Sequence, residues 1–205
     1  MPSKLVAVLG LVVALCGCAG SGPQPPAHVD AFTSLYKQSA TTVPADTPVV
    51  VQQPVGIIFS DNFEAWFKYV SDANAYWGKI VPTSLTNTVV QADTHPAFIS
   101  GRVLEVIKRR FPTAEVIKDF PQAVSSGKKA VILVDLRARP MQPYGDRTTR
   151  IGIDLYFFDA QMTPVSKISG DGQRNVPLGG VDGGVQVAVD GALQQIEARM
   201  NAVVR

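Results

Sequence analysis

Lys129-Ala-Val-Ile-Leu-Val-Asp-Leu-Arg-Ala138 is the run on which the fold turns. It is almost wholly apolar, as a central strand of a sheet is, and Asp135 interrupts it. Downstream, Arg150–Phe158 carries Ile151, Ile153, Leu155 and Phe157 at a period of two. Asp159-Ala-Gln-Met-Thr-Pro164 then turns the chain, and Val165–Gly172 returns as the partner strand. Upstream, Val55–Phe59 reads as a strand, Thr88–Ala92 as a weaker one and Ala114–Lys118 as a short one.

Helical spacing fills the gaps between these runs. Ser60 or Asp61 can cap a helix reaching about Tyr76, with Phe63, Phe67 and Val70 on its core face. A second helix starts at Pro96 and ends at Phe111, with Ile99, Val103, Leu104, Ile107 and Phe111 on one side. Lys108, Arg109 and Arg110 close it, where cations suit the helix dipole. A helical turn fits Pro121–Ser125. The last helix follows a glycine-rich loop at 179–184 and bears the stripe Val185, Val189, Ala192, Leu193, Ile196, Met200 and Val203. The order is βαβαβ, then antiparallel strands and a closing helix. It predicts an α+β (mixed α/β) class: a central mixed sheet with helices mainly on one face and a C-terminal amphipathic helix.

The chain has 205 residues and a net charge of +2, which suits one domain with appendages and argues against a nucleic-acid binder. Its hydrophobic content of 46% excludes a disordered chain. Two cysteines cannot build a disulfide scaffold, and two histidines leave little for metal chemistry.

The N-terminus carries the most specific signal. Lys4 precedes Leu5–Leu15, eleven residues without a polar side chain. A spanning helix needs about 20 apolar residues, so this run fits the apolar core of a signal peptide. Leu15-Cys16-Gly17-Cys18-Ala19 follows and resembles the lipobox of bacterial lipoproteins. The resemblance implies cleavage after Gly17, a diacylglyceryl thioether and an acylated amine on Cys18, and a mature body without a free thiol. It departs from the usual pattern only in having Cys16 where Ala or Ser is common. Ala19, in place of the Asp that often follows the lipidated cysteine in inner-membrane members, implies the periplasmic face of the outer membrane.

Three parts follow: a signal peptide at 1–17, a lipidated cysteine with a tether at 18–54, and one periplasmic domain at 55–205. The tether holds six of the fifteen prolines, and as a flexible coil its 36 residues after Cys18 would reach about 30–36 Å; within it only Ala27–Ser39, with Phe32, Leu35 and Tyr36, could form a short helix. The body resembles small periplasmic α/β modules of outer-membrane lipoproteins, of the penicillin-binding-protein-activator, curli-secretion and Tol N-domain sort. That resemblance rests on the helix Gly101–Phe111, the strand Ala130–Leu136, the hairpin 150–172 and the C-terminal helix. It implies a non-catalytic, partner-binding role.

Chemistry-bearing motifs are sparse. His28 lies in the tether, and His95 stands before Pro96 without the i+4 partner of a helical metal site. Gly-x-Ser-x-Gly and Walker A patterns are missing from the sequence. Gly170–Asn175 lacks the terminal Glu of a calcium loop and reads as a strand end and turn. The glycines at 179–184 could cradle an anion but read as a connector. Asp135 and Asp154 are expected to pair with arginines such as Arg137 or Arg150 across the sheet. The expectation is no enzyme, no cofactor, no metal and no nucleic acid.

Two candidate surfaces remain. Seven of the sixteen aromatics fall within residues 59–77, and Trp66, Tyr69 and Trp77 lie partly off the core stripe, as interface residues do. Residues 102–150 hold eleven basic against five acidic residues, and the connector there offers Arg137, Arg139, Met141, Tyr144 and Arg147 to an acidic partner, lipid headgroups or a cell-wall polymer. The functions implied are a tethered interaction module in envelope assembly or secretion, a lipid- or glycan-binding lipoprotein, or, weakest, a hydrolase using isolated carboxylates.

Overall fold

The apolar run forms a strand of ten residues, Ala130–Arg139, in the middle of the sheet. The computed structural model describes residues 22–32, 42–80, 97–140, 145–177 and 184–205. In chain order the elements are β1 (Val55–Phe59), α1 (Asp61–Ile80), α2 (Ala97–Arg110), β2 (Glu115–Val116), α3 (Phe120–Ser125), β3 (Ala130–Arg139), β4 (Thr148–Phe158), β5 (Pro164–Asn175) and α4 (Val185–Val203). The sheet order is β2-β1-β3-β4-β5. β1 runs parallel to both β2 and β3, while β3–β4 and β4–β5 are antiparallel. The mixed α+β architecture read from the sequence is the one observed.

Period two divides the sheet into two faces. Ile132, Val134, Leu136, Ile151, Ile153, Leu155 and Phe157 face α1, α2 and α4, forming the larger core. Val131, Leu133, Tyr156 and Phe158 face the other way and are covered by Ala31, Phe32 and α3. α4 buries all seven residues of its expected stripe. It lies unusually close to β5, because Gly170 and Gly172 leave room for its backbone; a Cβ at either would drive into the carbonyl oxygens of Ala192 and Ala188.

Several local expectations need correction. The core stripe of α1 is Phe63, Trp66 and Val70, while Phe67 is 49% exposed, so the stripe follows i, i+3, i+7. In α2, Val106 is buried where the sequence suggested Leu104, which is only partly covered. The strand at 114–118 shrinks to the two exposed residues of β2 at the sheet edge. β5 continues through Gly170–Asn175, where an end and turn were expected, because Gly172 and Gly170 pair with Ile151 and Ile153. The strand at 88–92, His95 and the glycines at 179–183 lie outside the described residues.

The largest difference concerns the tether. Composition predicts a free coil over 18–54, yet several of its described residues lie on the body. Val49 N–H donates to Val203 O at 2.9 Å, and Arg205 N–H returns to Val49 O at 3.0 Å. Pro44 and Asp46 bracket Lys167 on the outer edge of β5, and Gln195 bonds both backbone groups of Asp171 further along it. An otherwise open edge is thereby partly closed. Ala31 and Phe32 are buried in the second core. These contacts use backbone groups and isolated apolar residues, which leave no periodic signal.

Replacing Gly172 by Ala should destabilise the protein by at least about 2 kcal/mol, seen as a lower urea midpoint with unchanged slope. Gly101→Ala, at an open position inside α2, should instead stabilise by roughly 0.5–1 kcal/mol. Equal responses of the two variants would contradict the close approach of α4.

Candidate functional site

Asp135 stands at the carboxyl end of the parallel pair β1–β3 and is only 1% exposed. A carboxylate buried there needs donors, and three elements supply them. Ser60, just after β1, donates its Oγ–H to Oδ1 at 2.5 Å. Asn62, in the first turn of α1, donates Nδ2 to the same oxygen at 2.7 Å. His28 comes from the N-terminal segment and sets Nε2 2.8 Å from Oδ2. Asn62 also reads the backbone of that segment twice: its Oδ1 accepts from Val29 N–H at 3.0 Å, and its Nδ2 reaches Val29 O at 2.7 Å. Phe32 completes the strap, edge-on to Tyr156 with centroids 4.9 Å apart.

The order 2-1-3-4-5 makes this spot a topological switch point, since the connection from β1 covers one face and α3 the other. Crevices at such points are where open α/β sheets bind ligands. Here the chain's own residues 28–32 fill the crevice. The carboxylate separates Ser60 from His28, so the three do not form a nucleophile–base pair, which requires the histidine in the middle.

Asp154 lies directly opposite Asp135 in the β3–β4 register and is 2% exposed. The two carboxylates keep separate partners. Arg137 Nε and one terminal nitrogen each reach Asp154 at 3.2 Å, and Lys167 Nζ reaches it at 2.8 Å. The same guanidinium extends to Asp171 at 3.1 Å. Gly152 makes this possible, because a Cβ there would stand 2.7 Å from the Arg137 guanidinium carbon. Burial pushes the Asp154 carboxyl up, but hydrogen bonds from Lys167 and Ser169 and the charges of Arg137 and Lys167 outweigh it and hold the group below its ordinary range. Burial works against the Lys167 ammonium, yet Asp154 raises its pKa. The Tyr156 ring lies beneath Lys167, 5.0 Å from Nζ, and burial raises its phenol.

The expected pairing of Asp154 with Arg137 is therefore present. Asp135 instead uses His28, Ser60 and Asn62, and Arg150 goes to Asp146 at 2.5 Å. Arg150 and the neighbouring backbone of Thr148 hold the Asp146 carboxyl down to about 2. The buried aspartate in β3 was the legible signal; its partners were not, because Ser60 reads only as a helix cap, Asn62 carries no signal of its own and His28 reads as tether.

Of the aromatic candidates, Trp66 is 5% exposed and packs on Tyr69 with centroids 5.3 Å apart, so its ring belongs to the core. Tyr69 is partly buried, and its phenol is raised by burial. The side chain of Trp77 lies outside the described residues, as do Met141, Tyr144 and Cys18. Arg139 ends β3 exposed, and Arg147 donates to the carbonyls of Val176 and Pro177. Among the described residues, no cluster of three His, Cys, Asp or Glu side chains could hold a metal. Nor is any described helix long and apolar enough to cross a membrane.

No protein-family model matches the chain, and no curated protein matches it. The solved structures similar to it include two of PelC dodecamers from Paraburkholderia phytofirmans. One, of a point variant, is 10% identical, with a TM-score of 0.36 over 80% of this chain and 95% of that one. The other is 7% identical, with a TM-score of 0.37 over the same shares. Likeness at this level establishes neither a shared family nor a shared role.

Asp154→Asn should destabilise the protein by roughly 1–3 kcal/mol near neutral pH, discounted because Arg137 and Lys167 remain partly in water. A depressed folded pKa gives stability that is present above the unfolded pKa of about 3.9 and lost as pH falls through the folded value. The gap between wild type and variant should therefore close below about pH 4 in urea titrations, and a gap constant down to pH 2 would contradict the ion network.

Proposed function

We propose that the protein is a lipid-anchored envelope protein, held by Cys18 at the periplasmic face of the outer membrane, whose α/β body acts as a non-catalytic interaction module in envelope assembly or secretion. The observation that carries this reading is the run Leu15-Cys16-Gly17-Cys18, a lipobox-like site after an eleven-residue apolar stretch. Two or more acyl chains on one residue anchor stably, where a single chain is marginal.

The arrangement of the body supports the same reading. Both interior carboxylates of β3 and β4 are engaged in holding structure together, Asp135 by the strap and Asp154 by Arg137 and Lys167. The switch-point crevice is filled by residues 28–32. Phe67, at 49% exposure, is a large aromatic presented by α1 and a contact for a protein partner. Glycan or lipid binding through the aromatic cluster is the poorer alternative, since Trp66 is sealed in the core.

Intact-mass analysis of protein from its native membrane should show a diacylglyceryl-plus-acyl addition on Cys18, and Cys18→Ala should release the protein from the membrane fraction. A photo-cross-linker at position 67 should capture one defined envelope protein. An unmodified Cys18, or a lipidated protein that cross-links to nothing at that position, would overturn the anchor or the interaction reading respectively.

A further inference from the structure

The sheet face that carries the strap also carries unneutralised positive charge. Moving along β3 from Asp135, the same face presents Arg137 and then Arg139, two pleats or about 13 Å away. Arg150 stands directly opposite Arg139 in the β3–β4 register. Like charges facing each other across strands are destabilising unless an anion lies nearby. Arg147 sits at the same end of the sheet. Among the described residues, Arg139 has no carboxylate partner and Arg147 is held by carbonyls, so of these three guanidiniums only that of Arg150 meets a carboxylate, Asp146. On the helical face, Arg102 and Arg109 are bridged to Asp190, Glu105 and Glu197, while Arg110 is held by the carbonyl of Val204.

We infer that this end of the sheet, centred on Arg139 and Arg150, is a docking surface for the phosphate headgroups of anionic phospholipids. The inference rests on the anchored reading above. His28 is fixed on Asp135, and only nine residues lie between it and Cys18, ten steps along the chain, so the body stays within about 33–36 Å of the lipid. A tether of that length keeps the strap face within reach of the bilayer, whose anionic headgroups complement the charge of its arginines. Guanidinium forks suit phosphate, and each basic residue near an anionic surface strengthens attachment about fivefold.

The test uses the mature chain from residue 18 with Cys18→Ala, so that no acyl chain contributes. It is sedimented with vesicles of phosphatidylcholine alone or with added phosphatidylglycerol. Binding is expected only to the anionic vesicles, and it should fade as salt rises to about 0.3 M. The Arg139→Gln, Arg150→Gln pair should lower partitioning by ten- to thirtyfold, the corresponding lysine pair should retain most of it, and Arg102→Gln should leave it unchanged. Equal binding to neutral vesicles, no binding to anionic ones, or indifference to the glutamine pair would overturn the inference. Mass analysis of Cys18 decides the anchor separately: binding that depends on the arginines in a protein never lipidated would leave this surface standing while the anchored reading fell.

Discussion

A carboxylate placed inside the central strand constrains the rest of this molecule. Asp135 interrupts an apolar run that is otherwise sealed on both faces, and an unpartnered charge there would cost several kcal/mol. Its three donors come from three parts of the chain: the turn after β1, the first turn of α1, and the N-terminal segment. Meeting that single requirement fixes where α1 starts, closes the crevice at the switch point, and pins a segment of linker composition to the body.

Chain economy elsewhere follows from small residues. Gly170 and Gly172 on β5 let α4 lie with its backbone against the strand, and Gly152 on β4 opens the opposite face for the Arg137 guanidinium. One face of the sheet is thus a dry helical core. The other carries a smaller buried core at Phe32, Tyr156 and Phe158 that grades through the Asp154 network into half-buried and exposed arginines. Polarity increases along the strands in one direction, so the two ends of the strap face differ in chemistry.

Much of the architecture was legible because it rests on periodicity. The alternation of Ile151 to Phe157, the stripe on α4 and the turn at Asp159, whose side chain accepts from the amides of Gln161 and Thr163, all signal themselves locally. Spacing alone assigns the α1 stripe to Phe67 rather than Trp66, since both are large aromatics and only packing chooses between them. The site was half legible. A lone aspartate in β3 announced a buried polar centre, and its neighbour Asp154 found the arginine expected of it. The partners of Asp135 escaped because a residue more than a hundred positions away supplied one of them. Phe32 stood out within Ala27–Ser39, but its docking on the body did not, since backbone pairing by Asn62 and burial of a single aromatic need no sequence pattern.

These features converge on residues 28–32 as the point where the N-terminal segment is fixed to the body. Hydrogen exchange on the full chain tests that attachment most directly. The account predicts that the amides of Val29 and Phe32, which donate to Asn62 and Asp30, are protected, and that His28→Ala speeds their exchange about five- to tenfold while β3 is unaffected. Val29 and Phe32 exchanging at the rate of free peptide in the unaltered protein would show that the strap does not dock, and would contradict the account.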